Sequence, residues 1–457
     1  MVHTLSHRLS RLAAHGLALL ALVALTAQPA AAQSVLRDAE TEALLEDMSA
    51  PLVRAAGLDE VDIVLVNDGS INAYVAGGQA IYIHSGLINA AEDANEVQGV
   101  IAHELGHITG GHINRIGDGL GDAANISILS LVLGALAAVA GAGEAAAGII
   151  GAGQQAAMGK FLSFTRVQEA SADAAGAQYL SDAGLSGRGS LAFFKRLQNQ
   201  EFRFYRDQSD EAGFRRTHPL AGDRIARLQA DYEADPAWNT TTDPQLQARF
   251  DRIKAKLYGY LAEPRQVLVA YPERDASVAG HYARAYAYHR QALVGQALAE
   301  TEALLANAPD DPYFLEIKGQ ILLESGRADD ALPPLRRATE LTRASPLIAA
   351  LFGHALIATE DAAHFDEAER VLKASVARDR YNPFAWSQLG RIYAAKGDMA
   401  RARLASAEQQ AMRRQWDQAL YSAQFAESEL EQGTPDWLRA QDIRMQARAE
   451  IERARDR

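Results

Sequence analysis

The 457-residue sequence holds no cysteine. No disulfide staples this chain, no lipid can be carried on a mature N-terminal cysteine, and an oxidising compartment finds nothing to oxidise. Basic charge is also short: 45 Lys and Arg stand against 58 Asp and Glu, a net charge of −13. Nucleic acid is therefore not the expected partner, because a phosphate-binding surface needs a cationic surplus. Charged residues at 23% and hydrophobic ones at 48% are ordinary globular values. They exclude a disordered, collagen-like or polytopic membrane chain. The length suits about three domains' worth of core.

Long apolar runs are few, and the first reads as an address. His3, His7, Arg8 and Arg11 form a polar, basic start, residues 16–25 (GLALLALVAL) are apolar, and Ala30, Ala31 and Ala32 supply a small-residue cleavage site. Residues 1–32 are read as a secretory signal peptide, since ten apolar residues are too few to span a bilayer comfortably. The expected location is a bacterial periplasm. The second run, residues 123–143, has no charge, yet it is rich in Gly and Ala and lacks flanking aromatic or basic residues. A single span there would part the residues on its two sides. The expectation for 126–150 is instead a helical hairpin over the cleft or in contact with a membrane surface or substrate.

Periodicity organises the rest. An amphipathic helix is expected over 34–56 (Leu36, Leu44, Leu45, Met48, Leu52), a strand over 61–67, and a hairpin over 71–83 turning at Gly77-Gly78. Helix is expected from Glu96 to about Ile116, over 161–178 and over 189–200. The second half is helix after helix with a repeat. Ala297 and Ala331 are 34 residues apart, as are Gly319 and Gly353, and Gly390 follows 37 later. Trp386, Leu389, Gly390, Tyr393 and Ala402 follow the tetratricopeptide pattern, with Asp311-Pro312 and Asn382-Pro383 opening units. Three to four helical pairs are expected between about 275 and 426, capped from Trp437 onward. The first is weak, with Ala285 in the glycine position.

The strongest chemical signal is His103-Glu104-Leu105-Gly106-His107. On a helix, residues i and i+4 aim both imidazoles at one point, as a zinc ion needs, and Glu104 stands beside them. Val97, Val100, Ile101 and Leu105 give this helix a buried face, and histidines there need a reason. His112 lies nine residues past His103. If the helix continues it faces the other side, so it is read as structural rather than as a ligand; metzincins place their third histidine one position later. A third ligand must come from downstream, and Glu169 and Asp173 share one helical face. One carboxylate could bind metal while the other holds a ligand histidine by its second nitrogen.

H-E-L-G-H, followed by the E-x-x-x-D of 169–173 and then by His218-Pro219 with Arg224-Ile225, resembles metallopeptidase family forty-eight. The signal peptide and C-terminal repeats are similar to its periplasmic branch, over essentially the whole mature chain. The resemblance implies an α+β zincin-like (gluzincin) domain over 33–262, mostly helical with a small sheet. An all-α tetratricopeptide-repeat domain would follow over 263–457. It implies one Zn2+ per chain on His103, His107 and Glu169, with Glu104 as catalytic acid/base and Asp173 behind the ligands. His218 would either take the metal's open position as a switch or stabilise the oxyanion, and Arg224 is expected to pair with carboxylates such as Asp173. Asn72, Ala73, Tyr74 and Val75 would form the edge strand on which an extended substrate lies. The implied partners are unfolded or misassembled outer-membrane β-barrel proteins and the β-barrel assembly machinery, with the protein acting as chaperone and quality-control protease. Two rivals stand beside this reading: a non-proteolytic repeat scaffold with a latent metal site, and a protease anchored in the inner membrane.

Overall fold

The computed structural model describes residues 34–139, 143–203, 218 and 222–455. The expected signal peptide at 1–32 and the neighbours of His218 (Thr217, Pro219, Leu220) lie outside these residues.

The chain enters as a short strand, β1 (Ser34–Val35), and the first helix, α1 (Ala39–Ala55), starts later than the apolar pattern does. The Asp38 carboxylate sets that start by accepting the Thr41 N–H at 2.7 Å. Leu44, Leu45, Met48 and Leu52 are then buried at helical spacing. Strands β2 (Asp62–Asn67), β3 (Ala73–Ala76) and β4 (Ala80–His84) join β1 in the order β1-β2-β4-β3. The β3–β4 hairpin turns at Gly77 and Gly78, with φ of 65° and 107°. Tyr74 pairs with Tyr82, their rings stacked 5.2 Å apart. Strand β3 is last in the sheet order, so residues 73–75 occupy a terminal strand, and Asn72 leads into it.

Below the sheet, α2 (Ser85–Ala90) leads to α3 (Ala94–Thr109), capped by Asp93, which accepts the Glu96 N–H at 2.9 Å. Residues 94–107 are all buried. A helix buried all round is the centre of a domain, and Val97, Val100, Ile101 and Leu105 share one core with Leu44, Met48 and Ile83.

This helix does not reach residue 116. It stops at Thr109: Gly110 N–H bonds to Gly106 O, Gly111 turns left-handed at φ +61°, and α4 (His112–Val139) restarts in a new direction. A Gly-Gly pair at a helix end is a stop signal that outweighs the apolar period beyond it. Helix α4 packs along α5 (Gly143–Asp182), a 40-residue helix of which the expected 161–178 segment is only part. The described residues of 126–150 therefore lie on two long helices packed side by side. Residues 112–137 are long and apolar enough to cross a membrane, and Ile128, Leu129, Val132 and Leu136 are exposed. Helices α6 (Arg188–Arg203), α7 (Gly222–Ala234) and α8 (Pro244–Leu261) complete this half.

From α9 (Pro264–Ala270) onward the chain is helical. Antiparallel pairs follow: α10 (Val278–Arg290) with α11 (Val294–Asn307), and α12 (Pro312–Glu324) with α13 (Ala328–Leu341). Then come α14 (Pro346–Ala358) with α15 (Phe365–Arg378), and α16 (Pro383–Ala395) with α17 (Met399–Met412). Helix α18 (Trp416–Glu429) pairs with the longer α19 (Pro435–Arg455). The described residues thus hold five pairs. The outermost are the ones whose sequences stray from the repeat pattern. Helix α8 serves both halves: Phe250, Ile253 and Leu257 face the first core, while Ala255 packs with Val267, Ala283 and Ala287. Buried charges tie the junction. Lys256 Nζ lies 2.5 Å from Asp38 and 3.2 Å from Glu40, Tyr282 donates to Glu40 at 2.7 Å, and Arg252 joins Glu40 to Asp311.

Candidate metal centre

The site forms where α3 crosses α5. At that crossing a Cβ on Gly106 would sit 2.6 Å from Ala172 O, so the glycine inside H-E-L-G-H lets the two backbones touch. Close approach is what brings the short carboxylates of α5 within reach of the imidazoles on α3.

His103 and His107 point their Nε2 atoms at one spot, 3.2 Å apart. Glu169 joins them, its oxygens 3.5 Å from His103 Nε2 and 3.4 Å from His107 Nε2. His218 completes the set: its Nδ1 is 3.2 Å from His103 Nε2 and 3.0 Å from Glu169 Oε1. All four residues are buried, and their ligand atoms lie within 4.8 Å of one another. Nitrogen and oxygen donors tetrahedrally placed about 2.0–2.1 Å from an ion stand roughly 3.3 Å apart. The 3.0–3.5 Å separations lie near that edge, and the donor set fits a borderline-soft divalent cation.

His103, Glu169 and His107 are each held from behind. Asp173 Oδ1 lies 3.0 Å from His103 Nδ1. Arg224 grips Asp173 with two bonds, Nε to Oδ2 at 2.7 Å and Nη2 to Oδ1 at 2.8 Å, and its Nη1 reaches Glu169 Oε2 at 2.9 Å. His107 is backed by His112, Nδ1 to Nδ1 at 2.9 Å. The expected pairing of Arg224 with Asp173 is in place, and it extends to Glu169. A helix running on past Thr109 would turn His112 away from the site, as the sequence spacing predicts. The break at Gly110-Gly111 folds it back onto His107. The signal that could have found it was the glycine pair.

Electrostatics follow from this packing. Burial pushes the Glu169 carboxyl up, but the imidazoles of His103, His107 and His218 outweigh it and hold it well below the usual carboxylate range. Burial likewise pushes the Asp173 carboxyl up, but His103 and Arg224 outweigh it and hold it below its ordinary value. His103 is pulled down by burial and pushed up by Asp173 and Glu169, and the carboxylates win, raising it to about 10. His107 is lowered by burial, and His112, also buried and beside His107, falls to about 4.

Glu104 is the exception among these carboxylates. It is fully buried, neither of its oxygens has a hydrogen-bond partner, and His218 Nε2 is 3.5 Å from Oε1. A carboxylate left so in a protein interior is placed for a group the protein itself does not supply. Strand β3 packs against α3, so residues 73–75 run beside this helix.

A buried His/His/Glu cluster beside a glutamate whose oxygens have no hydrogen-bond partner has the donor set of a metallopeptidase centre. Residues 35–231 match the model of peptidase family M48, which makes that stretch a metal-dependent peptidase domain; paired helices at tetratricopeptide spacing follow it. The chain is 25% identical over 381 residues to the "Beta-barrel assembly-enhancing protease" of Escherichia coli (strain K12), covering 81% of this chain and 75% of that protein. It is 26% identical over 290 residues to the "Putative beta-barrel assembly-enhancing protease" of Vibrio cholerae, covering 62% and 59%. Against "Metalloprotease LoiP" of Escherichia coli (strain K12) it is 28% identical over 171 residues, covering 36% and 60%. Among solved structures, the tetratricopeptide-repeat protein YrrB aligns at TM-score 0.32 and 21% identity, over 40% of this chain and 94% of that one.

Proposed function

We propose that this protein is a zinc-dependent endopeptidase of the periplasm, with chaperone-like activity, acting on misfolded or stalled outer-membrane β-barrel proteins. The observation that carries the proposal is the buried donor set of His103, His107 and Glu169 beside a Glu104 with no hydrogen-bond partner. The names of the relatives in Escherichia coli and Vibrio cholerae support the substrate class. A signal peptide at 1–32, a peptidase domain over 33–262 and a repeat domain over 263–457 complete the reading.

In this reading His103, His107 and Glu169 hold one zinc ion per chain. When bound, zinc supplies Lewis acidity toward the scissile carbonyl and the attacking water. Glu104 accepts the proton of that water and delivers it to the leaving amine. Asp173 fixes His103, and Arg224 fixes Asp173 and Glu169. Asn72, Ala73, Tyr74 and Val75 align an extended substrate backbone, which suits a protease for unfolded segments because strand addition is indifferent to most side chains. The repeats offer a concave surface to client chains and to the β-barrel assembly machinery. Residues 126–150 touch a membrane surface or substrate.

The position of His218 favours a second, latent state of the same centre. Its Nδ1 stands at the fourth corner of the donor set, where a catalytic site keeps room for water. In that state the repeats would act as a chaperone or scaffold; with His218 withdrawn, its imidazole could instead stabilise the oxyanion. A third reading, an inner-membrane protease, draws on the exposed aliphatic residues of α4. Carbonate washing of membranes releases the protein on the periplasmic reading and retains it on that one.

The deciding experiment is cleavage of an unfolded outer-membrane barrel protein by wild type, Glu104→Gln and His218→Ala at matched zinc content. Cutting that vanishes with Glu104→Gln and rises with His218→Ala supports a gated zinc protease. No cutting by wild type or His218→Ala with zinc bound would move the function to the repeats.

A further inference from the structure

The reversal at Gly110-Gly111 has a chemical consequence. Gly110 closes α3 through its N–H to Gly106 O at 3.0 Å, and Gly111 turns at φ +61°. The chain doubles back by just enough to lodge the His112 ring against His107, with centroids 4.9 Å apart and planes at 78°. His112 is 4% exposed. A Cβ on Gly110 would meet His112 Nε2 at 2.4 Å and its Cδ2 and Cε1 at 2.8 Å, so only glycine leaves room for the ring.

The short contact joins one nitrogen of each ring, His112 Nδ1 to His107 Nδ1 at 2.9 Å. His107 presents its other nitrogen, Nε2, to His103 and Glu169. A ligating nitrogen must carry a bare lone pair, so the single proton of a neutral His107 has to reside on Nδ1. The nitrogen facing that proton must then be an acceptor, which places the His112 proton on Nε2. One contact therefore dictates both tautomers. The opposite assignment, with His112 donating, would put a proton on His107 Nε2 and point it at the metal position.

We propose that His112 is a positioning residue of the metal centre, accepting the His107 Nδ1–H and thereby fixing the tautomer and rotation of that ligand. The inference rests on the reading of His107 as a metal ligand. It gives the two ligand histidines different backing. His103 faces the anionic Asp173, while His107 faces a neutral imidazole, which orients the ring without adding negative charge to a centre that already gathers Glu104, Glu169 and Asp173.

The test measures zinc affinity of the full chain by competition with a chromophoric chelator, for wild type, His107→Ala, His112→Ala and His112→Asn, with thermal unfolding of the metal-free proteins as the folding control. Loss of an outer partner of a ligating histidine typically costs 10–100-fold in affinity. His112→Ala is expected to bind zinc about 10–100-fold more weakly, and His112→Asn, whose side-chain oxygen can accept the same N–H, to recover most of the loss. Gly110→Ala, which displaces the ring while keeping the histidine, should weaken zinc as His112→Ala does and serves if that variant fails to fold. A folded His112→Ala or Gly110→Ala with affinity within about threefold of wild type overturns the proposal, as does an Asn variant no better than Ala. If His107→Ala itself leaves zinc affinity unchanged, the metal-ligand reading beneath it fails instead.

Discussion

The two halves of the chain bury charge for different ends. In the repeats, Glu408 is 2% exposed, and both its oxygens are taken by Arg439, through Nε and through Nη2 at 2.7 Å. Buried Arg284 likewise meets Glu300 twice. In the peptidase half, Glu104 is as deeply buried and neither oxygen has a hydrogen-bond partner. Leaving a carboxylate so costs stability, whereas a closed pair is neutral to mildly favourable. Matched charge in this molecule holds helices together; unmatched charge marks chemistry.

The sharpest way to break that contrast is to make both glutamates amides. Glu104→Gln should lower peptide hydrolysis by about 10²–10⁴-fold, the usual worth of a general acid/base, while leaving the thermal midpoint equal or higher. Glu408→Gln should leave hydrolysis alone and destabilise the repeats by about 1 kcal/mol, because Arg439 loses a charged partner at a partly exposed position. Turnover on a quenched peptide and thermal unfolding check both. A stability loss from Glu104→Gln equal to that from Glu408→Gln would erase the distinction.

Next in size is Arg224→Ala. It strips the cation from Asp173 and Glu169 together, and breaking a buried pair by removing one partner typically costs about 3–5 kcal/mol. Urea unfolding and metal content should both fall. Unchanged folding and unchanged metal would show that Arg224 does not organise the centre. A smaller change should touch only the other half. At Gly353 a Cβ would lie 2.5 Å from Leu372 Cγ, so Gly353→Ala overpacks a repeat crossing at about 1–3 kcal/mol and leaves metal affinity as it was.

The same contrast explains what could be read in the sequence. In the repeats, period carries the fold: Gly319 and Gly353 sit against Leu335 and Leu372, so spacing alone locates the crossings. The outer pairs were harder because Ala285 replaces the glycine and α19 outgrows its unit. In the peptidase half, H-E-L-G-H was legible because i, i+4 spacing is local geometry. The shared face of Glu169 and Asp173 was legible as i, i+4 spacing, but which of them joins His103 and His107, and the part of Arg224, was legible only through family resemblance, since no periodicity joins residues 66 or more positions apart to one point. His112 was misplaced for a local reason, a stop at Gly110-Gly111 read as passing helix.

The junction between the halves supplies the finest test, because it holds a carboxylate of intermediate character. Glu316 on α12 faces Lys256 of α8 and the carboxylates of Asp38, Glu40 and Glu42 at the start of α1, and its Oε2 has no hydrogen-bond partner. Burial pushes its pKa up to about 8; Lys256 opposes this, and Asp38 and Glu40 add to it. The folded chain therefore holds a proton on Glu316 that an unfolded chain releases near pH 4.5. Between those values the native state binds more protons, so stability must fall as pH rises. The contribution is fully present below about pH 4.5 and is lost as pH passes 8. Stability at pH 8.5 should lie about 3 kcal/mol below that at pH 5.5 from this group, and Glu316→Gln should flatten the difference. Urea midpoints at the two pH values decide it. A Gln variant with the wild-type slope would place the junction's charge among the matched pairs of the repeats, and a flattened one would make Glu316 a second unmatched carboxylate outside the metal centre.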